Sequence, residues 1–389
     1  MDTIYLDNNA TTAVPPEVLD AMLPYLKELY GNPSSMHTFG GQLHRKVEEA
    51  RAKVAHLINA EPEEIIFTSC GTESDNTAIM SAVESLPSRR HIITTRVEHP
   101  AVLNFCKHLA RKGYRVTFLS VNKQGQLNMD ELLKVLDEDT VIVSIMYANN
   151  ETGVIFPIME IAEILKERGI LFHTDAVQAV GKIPIDLKKL PVDMLSLSGH
   201  KLHAPKGVGA LYVRKGTRFY PYIIGGHQEH GRRAGTENVA SIIGLGKTCE
   251  LAGEKLSQEI TYLKGLRDKL ENALLKSCPD VRINGDINNR LPNTTNLSFE
   301  YVEGEAILLR LNEYSICASS GSACTSGSLE PSHVLRAMGV PFTAIHGSIR
   351  FSLSRYNTEA EIDRVIKIMP GLIKELRQLS PFGRESAKS

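Results

Sequence analysis

Much that would point to a membrane, a nucleic acid or a disulfide framework is missing from this chain of 389 residues. No stretch approaches the ~20 consecutive apolar residues of a membrane helix. The best run, residues 141–148, is interrupted by Ser144 and reads as a buried strand. An excess of one charge is missing too: 44 Lys and Arg stand against 45 Asp and Glu, a formal net charge of −1. No global field then draws in nucleic acid or an anionic bilayer. Six cysteines, Cys70, Cys106, Cys249, Cys278, Cys317 and Cys324, include no CxxC pair. That argues against both a disulfide scaffold and a four-cysteine zinc site, and fits a reducing cytoplasm. The phosphate-binding patterns GxxxxGKS/T and GxGxxG are absent, as is any internal repeat, and the 13 histidines show no metal-ligand spacing. The opening MDTIYLDNNATT lacks the basic and then apolar stretches of a secretory signal, so the mature chain is expected to begin near Met1.

What is present is the makings of a large soluble core. Hydrophobic residues make up 42% and charged residues 23%, and at roughly 150 residues per domain the length suggests two or three domains or one large α/β unit with a satellite. Between residues 64 and 213 about seven short β-rich runs alternate with helical patterns, the signature of βαβ units and a mostly parallel sheet. Before them, Leu43, Val47, Ala50, Val54, Leu57 and Ile58 recur at helical spacing and predict an amphipathic helix over 41–59. After a glycine-rich stretch, 225–235, a helical pattern covers 239–276, with breaks expected at Gly253 and Gly265. The remainder mixes strands over 294–299, 316–319 and 349–353 with helices near 303–314 and 359–378. The expected division is an N-terminal arm (1–14), a large α/β domain (15–255) and a smaller α+β C-terminal domain (256–389).

Five successive strand ends carry groups able to do chemistry. Lys201 follows an apolar strand within Ser198-Gly199-His200-Lys201. A lone lysine is ordinarily a solvated charge, but α/β sheets present ligand groups at strand C-termini, where a lysine of lowered proton affinity can form a Schiff base. Asp175 and Gln178 end a second strand; were the ligand pyridoxal phosphate, Asp175 would keep its ring nitrogen protonated. Gly71 and Thr72 open a helix after a third, a natural phosphate seat, though the same pattern spells an ordinary helix cap. His99 and Asn150 end two more strands. Cys324 lies in a run of serine, glycine and other small residues without apolar periodicity, where a mobile nucleophilic thiol is expected. Arg350 is a single cation in an otherwise apolar and small strand, suited to a carboxylate.

These motifs resemble, in order and over essentially the whole chain, the cysteine desulfurases of the NifS/IscS type. The match runs through YLDNNATT at Tyr5, YGNPSS at Tyr30, TSCGTES at Thr68, VEHPAV at Val97, ANNETG at Ala148, HTDAVQ at His173, SGHKLHAPKGVG at Ser198, GRRAGTEN at Gly231, SSGSACTS at Ser319 and IRFSLSRYNT at Ile349. Two departures are Cys70-Gly71, where relatives often read Gly-Ala, and Gly199, where they often have Ala. The resemblance implies a class V, pyridoxal-phosphate-dependent aminotransferase fold of type I: a mostly parallel seven-stranded sheet flanked by helices, with a smaller α+β domain carrying the cysteine loop. It implies that Lys201 carries the cofactor and moves the substrate's α-proton. Asp175 would pair with the ring nitrogen, Gln178 and Asn150 with the phenolic oxygen region, and His99 would stack on the ring. Gly71, Thr72, Ser198, His200 and, from a partner subunit, Thr236 would seat the phosphate. Arg350 would hold the substrate carboxylate, with Asn32 nearby. The implied reaction converts L-cysteine to L-alanine and leaves a persulfide on Cys324. An iron–sulfur scaffold of the NifU/IscU type would take up the sulfur, with Cys324 transiently a ligand of the nascent cluster. The implied setting is a cytoplasmic homodimer with neither nucleic acid nor membrane as partner. Selenocysteine lyase or aminotransferase activity on the same fold, and sulfur trafficking without catalysis, stay open at this point.

Overall fold

The computed structural model describes residues 3–320 and 331–380. The chain opens with a two-residue strand, β1 (Ile4–Tyr5), and two helices, α1 (Pro16–Lys27) and α2 (Thr38–Leu57). The expected alternation then follows: β2 (Ile65–Thr68), α3 (Gly71–Ser85), β3 (His91–Thr95), α4 (Pro100–Arg111), β4 (Arg115–Leu119), α5 (Met129–Val135), β5 (Thr140–Ser144), α6 (Ile158–Glu167), β6 (Leu171–Asp175), β7 (Met194–Ser198) and β8 (Gly209–Val213). The seven strands β2 to β8 form one sheet in the order β2-β8-β7-β6-β5-β3-β4. Only β8 is antiparallel to its neighbours, so the sheet is mostly parallel, as expected. Strands covered on both faces read as continuous apolar runs. Accordingly β2, β3, β5, β7 and β8 are buried at every residue, whereas β4, at the edge, opens on the exposed Arg115.

Because six strands point the same way, their C-terminal ends lie along one edge. Five of them hand the chain on toward one place: Thr68 to α3, Thr95 to α4, Ser144 to the 147–153 turn, Asp175 to a turn before Gln178, and Ser198 to Lys201. Local chemistry sets these exits. Pro100 stands at the first position of α4, where a missing N–H costs nothing, and the preceding His99 caps the helix by accepting from the Ala101 N–H.

The long helix α7 (Val239–Ser277) runs unbroken over 39 residues, about 58 Å at 1.5 Å per residue, and the breaks expected at Gly253 and Gly265 do not occur. A helical glycine costs only ~1 kcal/mol. Burial offsets that cost: Ile242, Leu245 and Cys249 join the core beneath the large sheet, and Leu263, Leu266, Leu270 and Leu274 join a separate one. The second core is closed by β9 (Val281–Ile283), β10 (Thr294–Phe299), α8 (Gly304–Glu313), β11 (Ile316–Cys317), β12 (Ser348–Ser352) and α11 (Glu359–Leu379), with the antiparallel order β12-β10-β9. The strand expected over 316–319 shrinks to two residues because its partner is only the two-residue β1; Ser319 adds an isolated bridge to Arg350. Between β11 and β12, α9 (His333–Ala337) and α10 (Phe342–Ile345) turn back, and Val334, Leu335, Met338 and Ile345 pack into the core of the large sheet.

The N-terminal arm stitches the two cores together across the strand ends. After β1 pairs with β11, the Asn8 N–H donates to the Ser352 carbonyl (3.1 Å), the Asn9 N–H to Ser352 Oγ (2.9 Å) and the Thr12 N–H to the His200 carbonyl (3.0 Å).

The packing of α7 makes a paired prediction. A Cβ at Gly265 meets nothing within 4 Å, whereas one at Gly246 would lie 2.8 Å from both Cα and Cβ of Ala50. Gly265→Ala should therefore stabilise the protein by about 0.5–1 kcal/mol, and Gly246→Ala should destabilise it by about 1–3 kcal/mol. Urea unfolding midpoints of the two variants would show opposite shifts; shifts of the same sign would contradict this packing.

Candidate active site

A cavity of about 250 Å³ opens at the strand-end edge. Gly71, Thr72, His99, Asn150, Asp175, Gln178, Ser198, His200, Lys201 and Arg350 all line it, so ten of the thirteen residues singled out from the sequence meet at one place. Asn32 and Thr236 do not line it; both are exposed, Asn32 in the α1–α2 connection and Thr236 two residues before the cap of α7. Cys324 lies outside the described residues.

Lys201 ends a short helical turn after β7, and its Nζ donates to the main-chain carbonyls of Asn9 (2.7 Å) and Ala10 (2.6 Å). Asn9 is the hub of the arm. Its carbonyl also accepts from Gln178 Nε2 (3.0 Å), and its Nδ2 donates to the Asn150 carbonyl (3.1 Å) and to Thr294 Oγ1 (2.9 Å). Lys182 Nζ donates to Gln178 Oε1 (2.5 Å) and Asn9 Oδ1 (3.3 Å), which fixes the Gln178 amide with its nitrogen turned to the arm. Burial drives Lys182 well below the usual lysine range, with Lys201 and Arg350 adding to the effect. Arg350 Nη2 pairs with Asp7 Oδ1 (2.7 Å) and Nη1 donates to the Asn150 carbonyl (3.0 Å), while its buried Nε has no hydrogen-bond partner.

The floor of the cavity holds two buried carboxyl groups, Asp75 and Asp175. Burial lifts Asp175 to about 6, against the opposing effects of the Val177 N–H and of Lys201. Asp75, on the first turns of α3 and 1% exposed, is raised well above the carboxylate range by burial and then by Asp175. Beside it, burial lowers His173 to about 3. With the His173 ring neutral, the 3.6 Å approach of its Nε2 to Asp75 Oδ1 is not an ion pair. His173 instead bonds Ser144 Oγ (2.8 Å) and Ser196 Oγ (2.9 Å). His99 is lowered to about 4 by burial and by Lys201, and His200 to about 4 by burial and the same cation. His99 Nδ1 accepts from the Ala101 N–H (3.2 Å), so its proton sits on Nε2 and the ring is neutral at physiological pH.

The donor set suits pyridoxal phosphate: an amine at Lys201, a carboxylate at Asp175, a neutral imidazole at His99 and a helix N-terminus at Gly71. The cradle for a phosphate is tight. A Cβ at residue 71 would sit 2.8 Å from Val177 Cγ2, so glycine lets the first turn of α3 approach closely.

Comparison with known proteins identifies the family. The family model for class-V aminotransferases matches residues 4–365. The chain belongs to the class-V aminotransferases, in their NifS-type cysteine desulfurase branch. A cysteine desulfurase of Nostoc sp. is 64% identical over 387 residues, covering 100% of this chain and 97% of that one. The cysteine desulfurase NifS of Azotobacter vinelandii is 59% identical, covering 98% and 95%. Among solved structures, a NifS-like protein superposes with a TM-score of 0.91 at 42% identity, covering 96% of this chain and 100% of that one. SspA in complex with cysteine superposes with a TM-score of 0.81 at 35% identity, covering 92% and 100%. As a class-V aminotransferase, the chain belongs to a family that is pyridoxal-phosphate-dependent. Among the described residues no helix is long and apolar enough to cross a membrane, and no cluster of His, Cys, Asp and Glu could hold a metal ion.

Four participants escaped the sequence reading. Asp7 and Asn9 lie in the YLDNNATT motif, whose repeated polar residues were a usable signal. Asp75 and Lys182 sit one helical turn from recognised residues, three beyond Thr72 and four beyond Gln178, and carry no local mark of their burial.

Glu98, next to His99, makes a pH prediction. It is buried completely, accepts from Thr95 Oγ1 (2.7 Å) and the Met146 N–H (3.1 Å), and is pushed by burial from 4.5 to about 8. A folded proton affinity raised above the unfolded one favours the fold below about pH 4.5 and loses that contribution as pH rises through about 8. Glu98→Gln should flatten the decline of the urea midpoint over that interval. The wild-type slope persisting in the variant would refute the assignment.

Proposed function

We propose that this enzyme converts L-cysteine to L-alanine with pyridoxal phosphate held at the strand-end cavity, and that Cys324 receives the sulfur. The observation that carries the reading is the meeting of Lys201, Asp175, His99, Gln178 and Thr72 in one cavity, in a chain 64% identical to a cysteine desulfurase. Bound through Lys201, the cofactor supplies an electron sink that acidifies the α-proton of the substrate and loosens its carbon–sulfur bond.

The residues divide the remaining work. The N–H groups of Gly71 and Thr72, with the Ser198 hydroxyl and His200, hold the phosphate at the N-terminus of α3. Asp175 would pair as a carboxylate with the ring nitrogen, a cation that would lower its raised proton affinity. His99, neutral, would stack on the ring and offer its Nε2 proton. Gln178 and Asn150 fix the phenolic oxygen region. The Lys201 amine, once free, would take the substrate's α-proton; alanine then needs a proton returned at its α-carbon and one added at its β-carbon, the second matched by the proton that the substrate thiol gives up. Arg350 exchanges the Asp7 carboxylate for that of the substrate, so Asp7 is a stand-in that keeps the guanidinium aimed.

The sulfur step balances without an outside oxidant. The Cys324 thiolate attacks the substrate sulfur; a sulfur–sulfur bond forms, the carbon–sulfur bond breaks, and its electron pair stays with the carbon that becomes the alanine methyl group. The sulfur is oxidised by the same two electrons that reduce that carbon. The products are alanine and a Cys324 persulfide, which an iron–sulfur scaffold of the NifU/IscU kind takes up in the cytoplasm, with Cys324 transiently a ligand of the nascent cluster.

We read the chain as an arm (1–14), a large unit (15–255) and a small unit (256–389); the separate core built by Leu263 to Leu274 and β9 to α11 supports the small unit, while Val334, Leu335, Met338 and Ile345 pack back into the core of the large sheet. A homodimer is supported by exposed apolar side chains, Tyr30, Met36, Phe39, Tyr220, Tyr222 and Ile224, on segments near Asn32 and leading to Thr236. In the dimer Thr236 completes the partner's phosphate seat.

Replacing Cys324 by Ala should leave the protein yellow with bound cofactor. Alanine release from L-cysteine should fall by about a thousandfold or more, as loss of a covalent nucleophile does. Alanine release at the wild-type rate would refute Cys324 as the sulfur acceptor.

A further inference from the structure

We propose that Glu151 is a positioning residue for sulfur transfer: through the Ser332 hydroxyl it fixes the far end of the cysteine-bearing segment against the turn that closes the cofactor cavity. The inference rests on the reading above, in which Cys324 takes the sulfur.

Residues 321–330 join two differently held points. On the near side, the Ser319 N–H donates to the Arg350 carbonyl (3.2 Å) and the Arg350 N–H to the Ser319 carbonyl (2.6 Å). The chain therefore departs from the small sheet beside the cation assigned to the substrate carboxylate. On the far side, Ser332 is 5% exposed and its hydroxyl donates to Glu151 Oε2 at 2.5 Å, while accepting from the N–H groups of Val334 and Leu335. A hydroxyl has one proton, and here it goes to Glu151.

Glu151 in turn adjoins the cavity wall without lining it. Its neighbour Asn150 lines the cavity, and the Asn150 carbonyl accepts from both Arg350 Nη1 and Asn9 Nδ2. The Glu151 N–H donates to Asn149 Oδ1 (2.9 Å) and its carbonyl accepts from Asn296 Nδ2 (3.2 Å), so its main chain is held independently of its side chain. Whatever path residues 321–330 take, their departure and return are both referred to Asn150-Glu151. A carboxylate 3% exposed is costly, and an apolar side chain would pack there at lower cost. Its placement is explained by what it holds.

Glu151→Ala, Glu151→Gln, Ser332→Ala and the Glu151→Ala/Ser332→Ala double variant are compared as full-length holoenzymes. Three readouts are taken: exchange of the α-proton of L-alanine in heavy water, which does not need Cys324; single-turnover persulfide formation; and the rate of Cys324 alkylation by iodoacetamide. Glu151→Ala and Ser332→Ala should each slow persulfide formation about tenfold or more, the scale set by losing a buried hydrogen bond, and should change the alkylation rate. Exchange and the cofactor absorbance should stay at wild-type values. Glu151→Gln keeps an acceptor oxygen and should restore transfer. The double variant should be no slower than either single one, because both remove the same contact. Unchanged persulfide formation in Glu151→Ala and Ser332→Ala, failure of Glu151→Gln to restore it, additive losses, or an equal loss of exchange would overturn the proposal. Should Glu151→Ala not fold, Ser332→Ala carries the comparison. A wild-type enzyme that exchanges the α-proton yet forms no persulfide on Cys324 would instead refute the functional reading.

Discussion

The arrangement depends on one contact made by the backbone: the carbonyl oxygens of Asn9 and Ala10 receive the Lys201 amine at the end of β7. Main-chain carbonyls are donor-seeking groups that cannot be moved without moving the chain. The arm is in turn pinned to Ser352 on the small sheet and to His200 beside Lys201 itself. The same Asn9 carbonyl takes Gln178, and the Asn9 side chain reaches Asn150. An eight-residue motif near the start of the chain thereby sets the relative positions of three strand ends separated by some 50 residues of sequence.

Electrostatically the cavity is built for a ligand that brings charge with it. Burial lifts Asp175 and Asp75 and lowers His99 and His200, so these groups facing the cavity lean toward their neutral forms. A buried charge is costly unless paired. A cationic ring nitrogen opposite Asp175 and a phosphate at the N-terminus of α3 would supply the missing counter-charges. Arg350 is the exception, already paired with Asp7 at 2.7 Å. This division fits a site where the cofactor is resident and the substrate carboxylate arrives by exchange.

How much of this was legible in the sequence follows from how local each signal is. The alternation of β-rich runs and helical patterns over 64–213 foretold the seven-stranded sheet, and the rule that parallel strands present ligand groups at their C-terminal ends placed Thr72, His99, Asn150, Asp175 and Lys201 on one edge. The breaks expected in α7 failed because the burial of Leu266 and Leu270 in one core and Leu245 in another outweighs two glycines, and packing of that kind is invisible in a window of sequence. Glu151 sits in ANNETG and looked like part of a turn; only its 2.5 Å contact with Ser332, 181 residues on, gives it a purpose. Lys182 and Asp75 were passed over for the same reason, since nothing in their neighbours' identities says that their heads are buried. Chemistry carried by strand ends could be read, and chemistry carried by long-range contacts could not.

The central claim is that Lys201, and no other lysine, carries the cofactor. Lys182, a buried amine whose proton affinity burial lowers and which bonds Gln178 and Asn9, makes that a discriminating question. Borohydride reduction of the holoenzyme fixes the cofactor to the amine that holds it, and peptide mapping then locates the adduct. The account predicts the modified residue at Lys201; an adduct at Lys182, or none at all, would contradict it.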